Sequence, residues 1–474
     1  MTDGIRGTRY TVMGLGVLGG GVGVARYLAR HGGVVTVTDM RPEDQLASSI
    51  DLLSDLPITY HLGGHDEADF TRENADVVVR NPGVRRHSPY LKIARDDGVR
   101  IEMEMSLFFR ACRAPVLGIT GTKGKTSVST LCGGIMRAWN PDAVLAGNMG
   151  ISALALVDDI LPEHPVVIEL SSWQLEAMDE QGLGPRVAVL TNISPDHLDA
   201  YDSFDDYADT KRTIARHVPV DGVVVYNNDD DEAREVVHST LAKLLPFGLQ
   251  DPGTDGAWLS GDDLVLRWKG EEVRIARPIQ LQLSGEHGTS NALAAFAAAW
   301  AYGAPVEAIE QGMREFTGVP NRMEEVATVD GVLFINDTSA TAPAAAVGGL
   351  RVLHDRAREL RLIAGGSDQR TDLTPFADEI AARRPRVFLI DGTATPNLVL
   401  LLEERGVPFA GPFPDMRSVV DAAVEGVRPG DIVTLTPGCA SFGLFRNEFD
   451  RGDQFKAAVG EYRERVTGAG TRGT

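Results

Sequence analysis

The chain has 474 residues, a length that suggests about three domains. Its 46 Lys and Arg stand against 67 Asp and Glu, a formal charge of −21 that excludes nucleic acid and anionic membrane surfaces as partners held by a general field. At 43% hydrophobic and 24% charged it is ordinary globular material, and Cys112, Cys132 and Cys439 are too scattered for a disulfide framework or structural zinc site.

The opening MTDGIRGTRYTVMG lacks the basic-then-apolar layout of a signal peptide, and the Ala-rich stretch 291–303 is too short to cross a bilayer. A cytoplasmic location without membrane insertion is expected. A first strand, YTVM, leads into Gly14-Leu15-Gly16-Val17-Leu18-Gly19, then a helix-like VARYLARHG and a second strand ending at Asp39. This βαβ unit sets backbone N–H groups at a helix N-terminus for a pyrophosphate and a carboxylate for a ribose hydroxyl. It suits NAD or another diphosphate nucleotide, a UDP-sugar included; the bland alternative is glycine used only for tight packing. A third strand, DVVVR, precedes the turn at Asn81–Gly83, and this domain is expected to span 1–103.

The strand APVLGIT then enters Gly121-Thr122-Lys123-Gly124-Lys125-Thr126-Ser127 ahead of a helix. Its glycines let the backbone curl around phosphates, Lys125 reaches the β/γ-phosphates and Thr126 ligates Mg²⁺, although the spacing departs from the strict Walker pattern. Two phosphate loops in successive domains argue for one nucleotide as substrate and one as energy source. Glu169 closes the strand PVVIEL, where a Mg²⁺ ligand is expected beside such a loop, although a lone Glu is more often a solvated charge. His197 follows another apolar strand between Asp196 and Asp199, and Lys211 by itself reads as a surface lysine. Residues 251–283 alternate apolar and polar as antiparallel hairpins, and a helix is expected over 287–302. From VLFIND to DIVTLTPG, strands and helices alternate as a third open sheet, and the tail VTGAGTRGT reads as frayed.

TGTKGKTS, GNMG, IELSSWQLE, NISPDHLDAYDSFDDYADTK, GEHGTSNALAA, NRME, IND and TPGCASF occur in this order over almost the whole chain. Together they resemble the Mur ligase family, within it the branch that adds glutamate to UDP-N-acetylmuramoyl-L-alanine. The resemblance implies three α/β domains: a Rossmann-like UDP-binding domain (1–103), a P-loop ATPase domain with added antiparallel hairpins (104–318) and a Rossmann-like amino-acid domain (319–474). It implies ATP and Mg²⁺ as cofactors. Lys125, Glu169, His197 and Lys211 would be catalytic. Thr126, Glu169, His197 and a carbamylated Lys211 would hold metal. Gly121 to Ser127, Asn148, Asn291, Arg322 and Asp337 would bind ATP. Gly14 to Gly19, Asp39, Arg41 and Asn81 would bind the UDP end, and Thr341, Gln369, Arg370 and Ser441 would bind glutamate.

Departures cluster where glutamate should sit. Two lysines of the D-glutamate pattern are replaced by Ser339 and Gln369, FKNF becomes Phe445-Arg446-Asn447-Glu448, and His-Asn becomes His287-Gly288. Arg370 or Arg446 would then capture the carboxylate from another direction, as the opposite enantiomer requires. On this ground L-glutamate is expected over D-glutamate, with a separate epimerase acting on the product. The competing readings are the ordinary D-glutamate ligase, an NAD-linked dehydrogenase and a non-catalytic nucleotide switch.

Overall fold

Strands sealed by helices on both faces must be apolar on both sides, and the buried runs Val77–Arg80, Val116–Thr120 and Leu360–Ala364 meet that demand. The computed structural model describes residues 4–16, 20–148, 152–196, 201–277, 285–368 and 371–470. They form two compact units, 1–316 and 317–474.

The first unit contains two sheets. Five parallel strands stand in the order Ile58–Leu62, Val34–Asp39, Arg9–Met13, Val77–Arg80, Arg100–Glu102. A nine-stranded sheet places Val116–Thr120 between Val187–Leu190 and Val166–Glu169, with Val144–Gly147 beyond the latter. On its other side it continues through Val223–Asn227 and Lys243–Gly248 to the hairpin strands Gly256–Ser260, Asp263–Trp268 and Glu271–Ala276.

Alternate strand residues in the nine-stranded sheet feed different cores, as the period of two requires. Leu117, Ile119, Val187 and Val189 pack with the helices Lys125–Trp139, Gly285–Tyr302 and Val306–Arg314. Val116, Ala188 and Leu190 join the core that also holds Val12 and Val37 of the first sheet and Leu28 of the helix Gly20–Arg30. That shared apolar cluster explains why two sheets make one compact unit.

The second unit has one sheet, ordered Glu324–Val329, Val332–Asn336, Ile432–Leu435, Leu360–Ala364, Arg386–Ile390, Phe409–Phe413. Its first pair is antiparallel and the rest parallel. Helices cover both faces: Leu350, Phe376 and Leu398 on one, Val420, Phe455 and Val459 on the other.

Several expectations need correction. Ile58–Leu62 is an additional edge strand, and its partly exposed Thr, Tyr and His hid it from a search for apolar runs. The first hairpin strand adds in parallel to Lys243–Gly248 before antiparallel pairing begins, and 278–284 lie outside the described residues. The helix expected over 287–302 starts at Gly285. Of the tail expected to fray, 466–470 continue the helix Glu448–Gly470, and 471–474 lie outside the described residues. No helix among the described residues is long and apolar enough to cross a membrane.

In each sheet the strand order reverses around a central strand: Arg9–Met13, Val116–Thr120 and Ile432–Leu435. Loops diverge beyond the carboxyl ends of such strands and leave a crevice where ligands bind in open α/β folds. All three candidate clusters stand there.

Candidate functional site

The phosphate loop leaves Val116–Thr120 and enters the helix that starts at Lys125. Gly121 and Gly124 have φ of +149° and +83°. A Cβ on Gly121 would fall 1.9 Å from Thr191 Oγ1, and one on Gly124 would fall 2.5 Å from Asn291 Oδ1. Both glycines are therefore required by the packing as well as by the turn. The loop is braced from behind. Thr191 Oγ1 and Asn192 Nδ2 donate to the Lys123 carbonyl at 2.6 and 2.9 Å, and the Lys123 N–H donates to Asn192 Oδ1 at 2.8 Å. Lys123 Nζ stands 3.5 Å from Asp196.

Lys125 folds over the loop, its Nζ donating to the carbonyls of Gly121 and Thr122 at 2.8 and 3.0 Å. Glu169, 2% exposed at its strand end, accepts from Asn148 Nδ2 at 3.2 Å. Thr126 and Ser127 occupy the first turn of the helix, where unsatisfied N–H groups favour anions. Asn291 packs against Gly124, which puts this candidate beside the glycine loop.

Lys211 is not on the surface. It is 2% exposed, its Nζ donates to Thr120 Oγ1 at 3.2 Å, and it stands over the Tyr207 ring. Burial first, and then the charge of Lys125, lower its pKa to about 7, while Asp196 and Glu169 act in the opposite sense. The signal was present in the sequence: Tyr207, Ala208, Lys211, Ile214 and Ala215 form one stripe at helical spacing, with the lysine in its middle. Tyr207, which no motif had singled out, stands 3.2 Å from Thr122 Oγ1 through its hydroxyl.

At the first sheet Gly14 and Gly16 have φ of +94° and +65°. Asp39 closes the turn, accepting from the N–H groups of Gly16 at 3.1 Å and Arg41 at 2.9 Å. Asn81 donates to the Gly14 carbonyl and accepts from the Gly83 N–H, while the Arg41 side chain is exposed. Leu15 is fully buried. Beside Asp39, residues His61 to Glu67 line an open pocket of about 650 Å³, with His65 held by Thr38 Oγ1 and packed against Phe70 and Tyr90.

In the second unit Asp337 is 4% exposed and accepts from the Met323 N–H at 3.1 Å, with Arg322 exposed nearby. Thr341 and Ser441 lie in loops after neighbouring strands. Arg446 is no pocket anchor: its side chain is 85% exposed and pairs with Asp450 one turn on. Val17, Leu18, Gly19, His197, Gln369 and Arg370 lie outside the described residues. Among those described, no group of three or more His, Cys, Asp or Glu side chains is arranged to hold a metal by itself.

Three family models match consecutive stretches of the chain: the Mur ligase MurD-like N-terminal domain over 8–102, the Mur ligase middle domain over 119–299 and the Mur ligase glutamate ligase domain over 321–439. A UDP-N-acetylmuramoylalanine–D-glutamate ligase from Roseiflexus sp. (strain RS-1) is 46% identical over 96% of this chain and 99% of its own. The protein of the same name from Symbiobacterium thermophilum is 35% identical over 95% and 97%. A UDP-N-acetylmuramate-alanine ligase structure from Thermotoga maritima shares the fold with TM-score 0.56 at 19% identity, over 96% of this chain and 99% of that one. The names of these relatives give the expected preference for L-glutamate no support and favour the D-glutamate alternative.

Proposed function

The chain belongs to the Mur ligase family of ATP-dependent, amide-bond-forming ligases of peptidoglycan synthesis, and on that premise we propose that it joins D-glutamate to UDP-N-acetylmuramoyl-L-alanine. The observation that carries this reading is the 46% identity to a D-glutamate ligase along 96% of the chain, together with three phosphate- or carboxylate-suited strand ends. Family membership removes the dehydrogenase reading of the glycine turn at Gly14 and Gly16. An epimerase is needed only if L-glutamate were joined.

The three tasks divide over 1–103, 104–318 and 319–474. Gly14, Gly16, Asp39 and Asn81 hold the UDP end, with the uridine directed to the pocket along residues 61–67. The loop from Gly121 to Thr126 holds the ATP phosphates on its N–H groups and on Lys125, whose bonds to two loop carbonyls exchange for phosphate oxygens. The γ-phosphoryl passes to the terminal carboxylate of the alanyl group, giving an acyl phosphate and ADP. The glutamate amine attacks its carbonyl carbon, a tetrahedral intermediate collapses, and phosphate leaves. Positive charge concentrated at the loop stabilises the transferred group. Asn291 packs against the loop, and Arg322 and Asp337 are the nucleotide-binding candidates of the second unit.

The Glu169 carboxylate and Thr126 hydroxyl are hard oxygen donors beside the phosphate loop, the partial set that Mg²⁺ accepts when nucleotide oxygens and water complete its shell, and the ion would neutralise phosphate charge there. His197 takes a second metal position in this reading. Lys211, with a pKa near 7, offers a neutral amine to CO₂ at physiological pH. Addition to the neutral amine gives a carbamate and releases one proton, leaving a buried carboxylate-like anion that would suit a bound metal ion.

The test measures ATP-dependent phosphate release and product mass with UDP-N-acetylmuramoyl-L-alanine plus D-glutamate, L-glutamate, aspartate or glycine in separate reactions. D-glutamate should turn over fastest. Faster turnover with L-glutamate would reinstate the other enantiomer, and no ligation with either would defeat the glutamate reading.

A further inference from the structure

The candidate amino-acid loops of the second unit meet on one buried cation. Arg451 is fully buried at the head of the helix Glu448–Gly470. Its Nε donates to Thr338 Oγ1 at 2.9 Å and its Nη2 to the Thr338 carbonyl at 2.9 Å. Its Nη1 donates to the carbonyls of Cys439 and Ala440, both at 3.1 Å. A Cβ on Gly366 would lie 3.3 Å from that same Nη1 and 2.2 Å from the Ala440 carbonyl, so the loop after Leu360–Ala364 comes right up to the guanidinium. Three loops, from three adjacent strands, therefore converge on one side chain.

Every hydrogen-bond acceptor in this set is neutral. Among the described residues Arg451 forms no ion pair; Glu448, on the same helix, attracts it only from a distance. A buried cation without an anionic partner is costly, and four hydrogen bonds to loop oxygens offset part of that cost while leaving its positive potential uncompensated. Next to Ala440 stands Ser441, 2% exposed, whose Oγ has no hydrogen-bond partner among the described residues. A buried hydroxyl left unpaired carries a further penalty that an incoming acceptor removes. The guanidinium sets a positive potential beside the loop that carries this hydroxyl, through its bond to the adjacent Ala440 carbonyl, and an anionic oxygen would suit both.

We propose that Arg451 is the positioning residue behind the glutamate site already assigned to Ser441, holding the loops of Thr338, Gly366 and Cys439–Ser441 and supplying the positive potential for one carboxylate of the incoming amino acid. The proposal rests on the glutamate-ligase reading above. It assigns the cation of the pocket to a residue outside the loops themselves, whereas the exposed Arg446 is held by Asp450.

The test uses the full-length enzyme with ATP and UDP-N-acetylmuramoyl-L-alanine saturating. Arg451→Gln and Ser441→Ala should each raise KM for D-glutamate, by about 30-fold and about 10-fold, with KM for ATP and the UDP substrate within about threefold of wild type. Wild type should reject at least one of D-glutamine and D-isoglutamine, in which a carboxylate is an amide, and Arg451→Gln should lose most of that rejection. Arg451→Lys keeps the charge without the planar fork and should retain the acid-over-amide preference, which covers the case in which the Gln variant fails to fold. A folded Ser441→Ala with unchanged KM, or an Arg451→Gln that is less stable yet keeps full discrimination, would reduce Arg451 to a loop clamp. If wild type itself ligates no glutamate, the functional reading fails instead, a result distinct from either.

Discussion

Asp337 offers a stability measurement whose sign follows from its surroundings. It is 4% exposed, at the end of Val332–Asn336, and its Oδ2 lies within 2.8 Å of where a Cβ on Gly349 would stand. Burial raises its pKa to about 6, opposed by the Met323 N–H, by Arg322 and by Thr436. The folded value lies above the unfolded one, so stability from this group is fully present below the unfolded pKa and is lost as pH rises through about 6. Above that pH the wild type carries an ionised buried carboxylate, at a cost of about 3 kcal/mol, falling to about half of that at pH 5. Asp337→Asn keeps the acceptor for Met323, and Thr436 can exchange donor and acceptor roles with the new amide. The variant should therefore be more stable than wild type at pH 8, and its advantage should shrink by about 1–2 kcal/mol on moving to pH 5. Urea unfolding of both proteins at the two pH values, monitored on the transition of the second unit, measures this. If Asp337 also holds the nucleoside of ATP, the same variant should bind nucleotide about tenfold more weakly, stability gained where function is lost. An advantage independent of pH, or a destabilised variant at pH 8, would refute the reasoning.

Other substitutions probe the loop and its surroundings. Lys125→Met should lower kcat by about 100-fold or more, because its Nζ stands over the loop carbonyls of Gly121 and Thr122; wild-type phosphate release by this variant would count against phosphate contact. Gly124→Ala must place a side chain at φ +83° and against Asn291, so weakened ATP binding is expected by equilibrium titration, and unaltered affinity would show that the loop relaxes freely. For Lys211, degassed, CO₂-free buffer should depress activity, and bicarbonate should restore it. Because protonated amine does not add CO₂, the dependence should be stronger below pH 7 than above it; identical rates with and without CO₂ at pH 6.5 would exclude the carbamate.

Local chemistry made much of this protein legible. Glycine spacing announced both phosphate turns because left-handed φ at Gly14, Gly16 and Gly124 admits few other residues. Asp39 was readable because it ends the strand that follows a glycine turn, whereas Glu169 by itself read more readily as a solvated charge and stood out only through the glycine loop on the neighbouring strand. Lys211 and Arg451 were harder. Each occupies an apolar helical stripe as a long cation, a residue type that composition assigns to the surface. The expected preference for L-glutamate finds no support in the names of the relatives, and one of its premises meets a structural answer. Substituted lysines in two loops were read as a pocket turned around, with Arg446 as one new anchor, whereas Arg446 lies in solvent and a buried arginine stands beneath those loops.

The sequence by itself determined three α/β sheets, the strand ends that carry the glycine turns, and the chemistry of nucleotide phosphates, because these depend on residues adjacent in the chain. Tertiary structure decided that the first two sheets share one core, that Lys211 is desolvated beside Thr120, and that Thr338, Gly366 and Cys439–Ala440 converge on Arg451. Burial and the field between charges depend on which distant segments pack together, and that is fixed only when the strands take their order in the sheet.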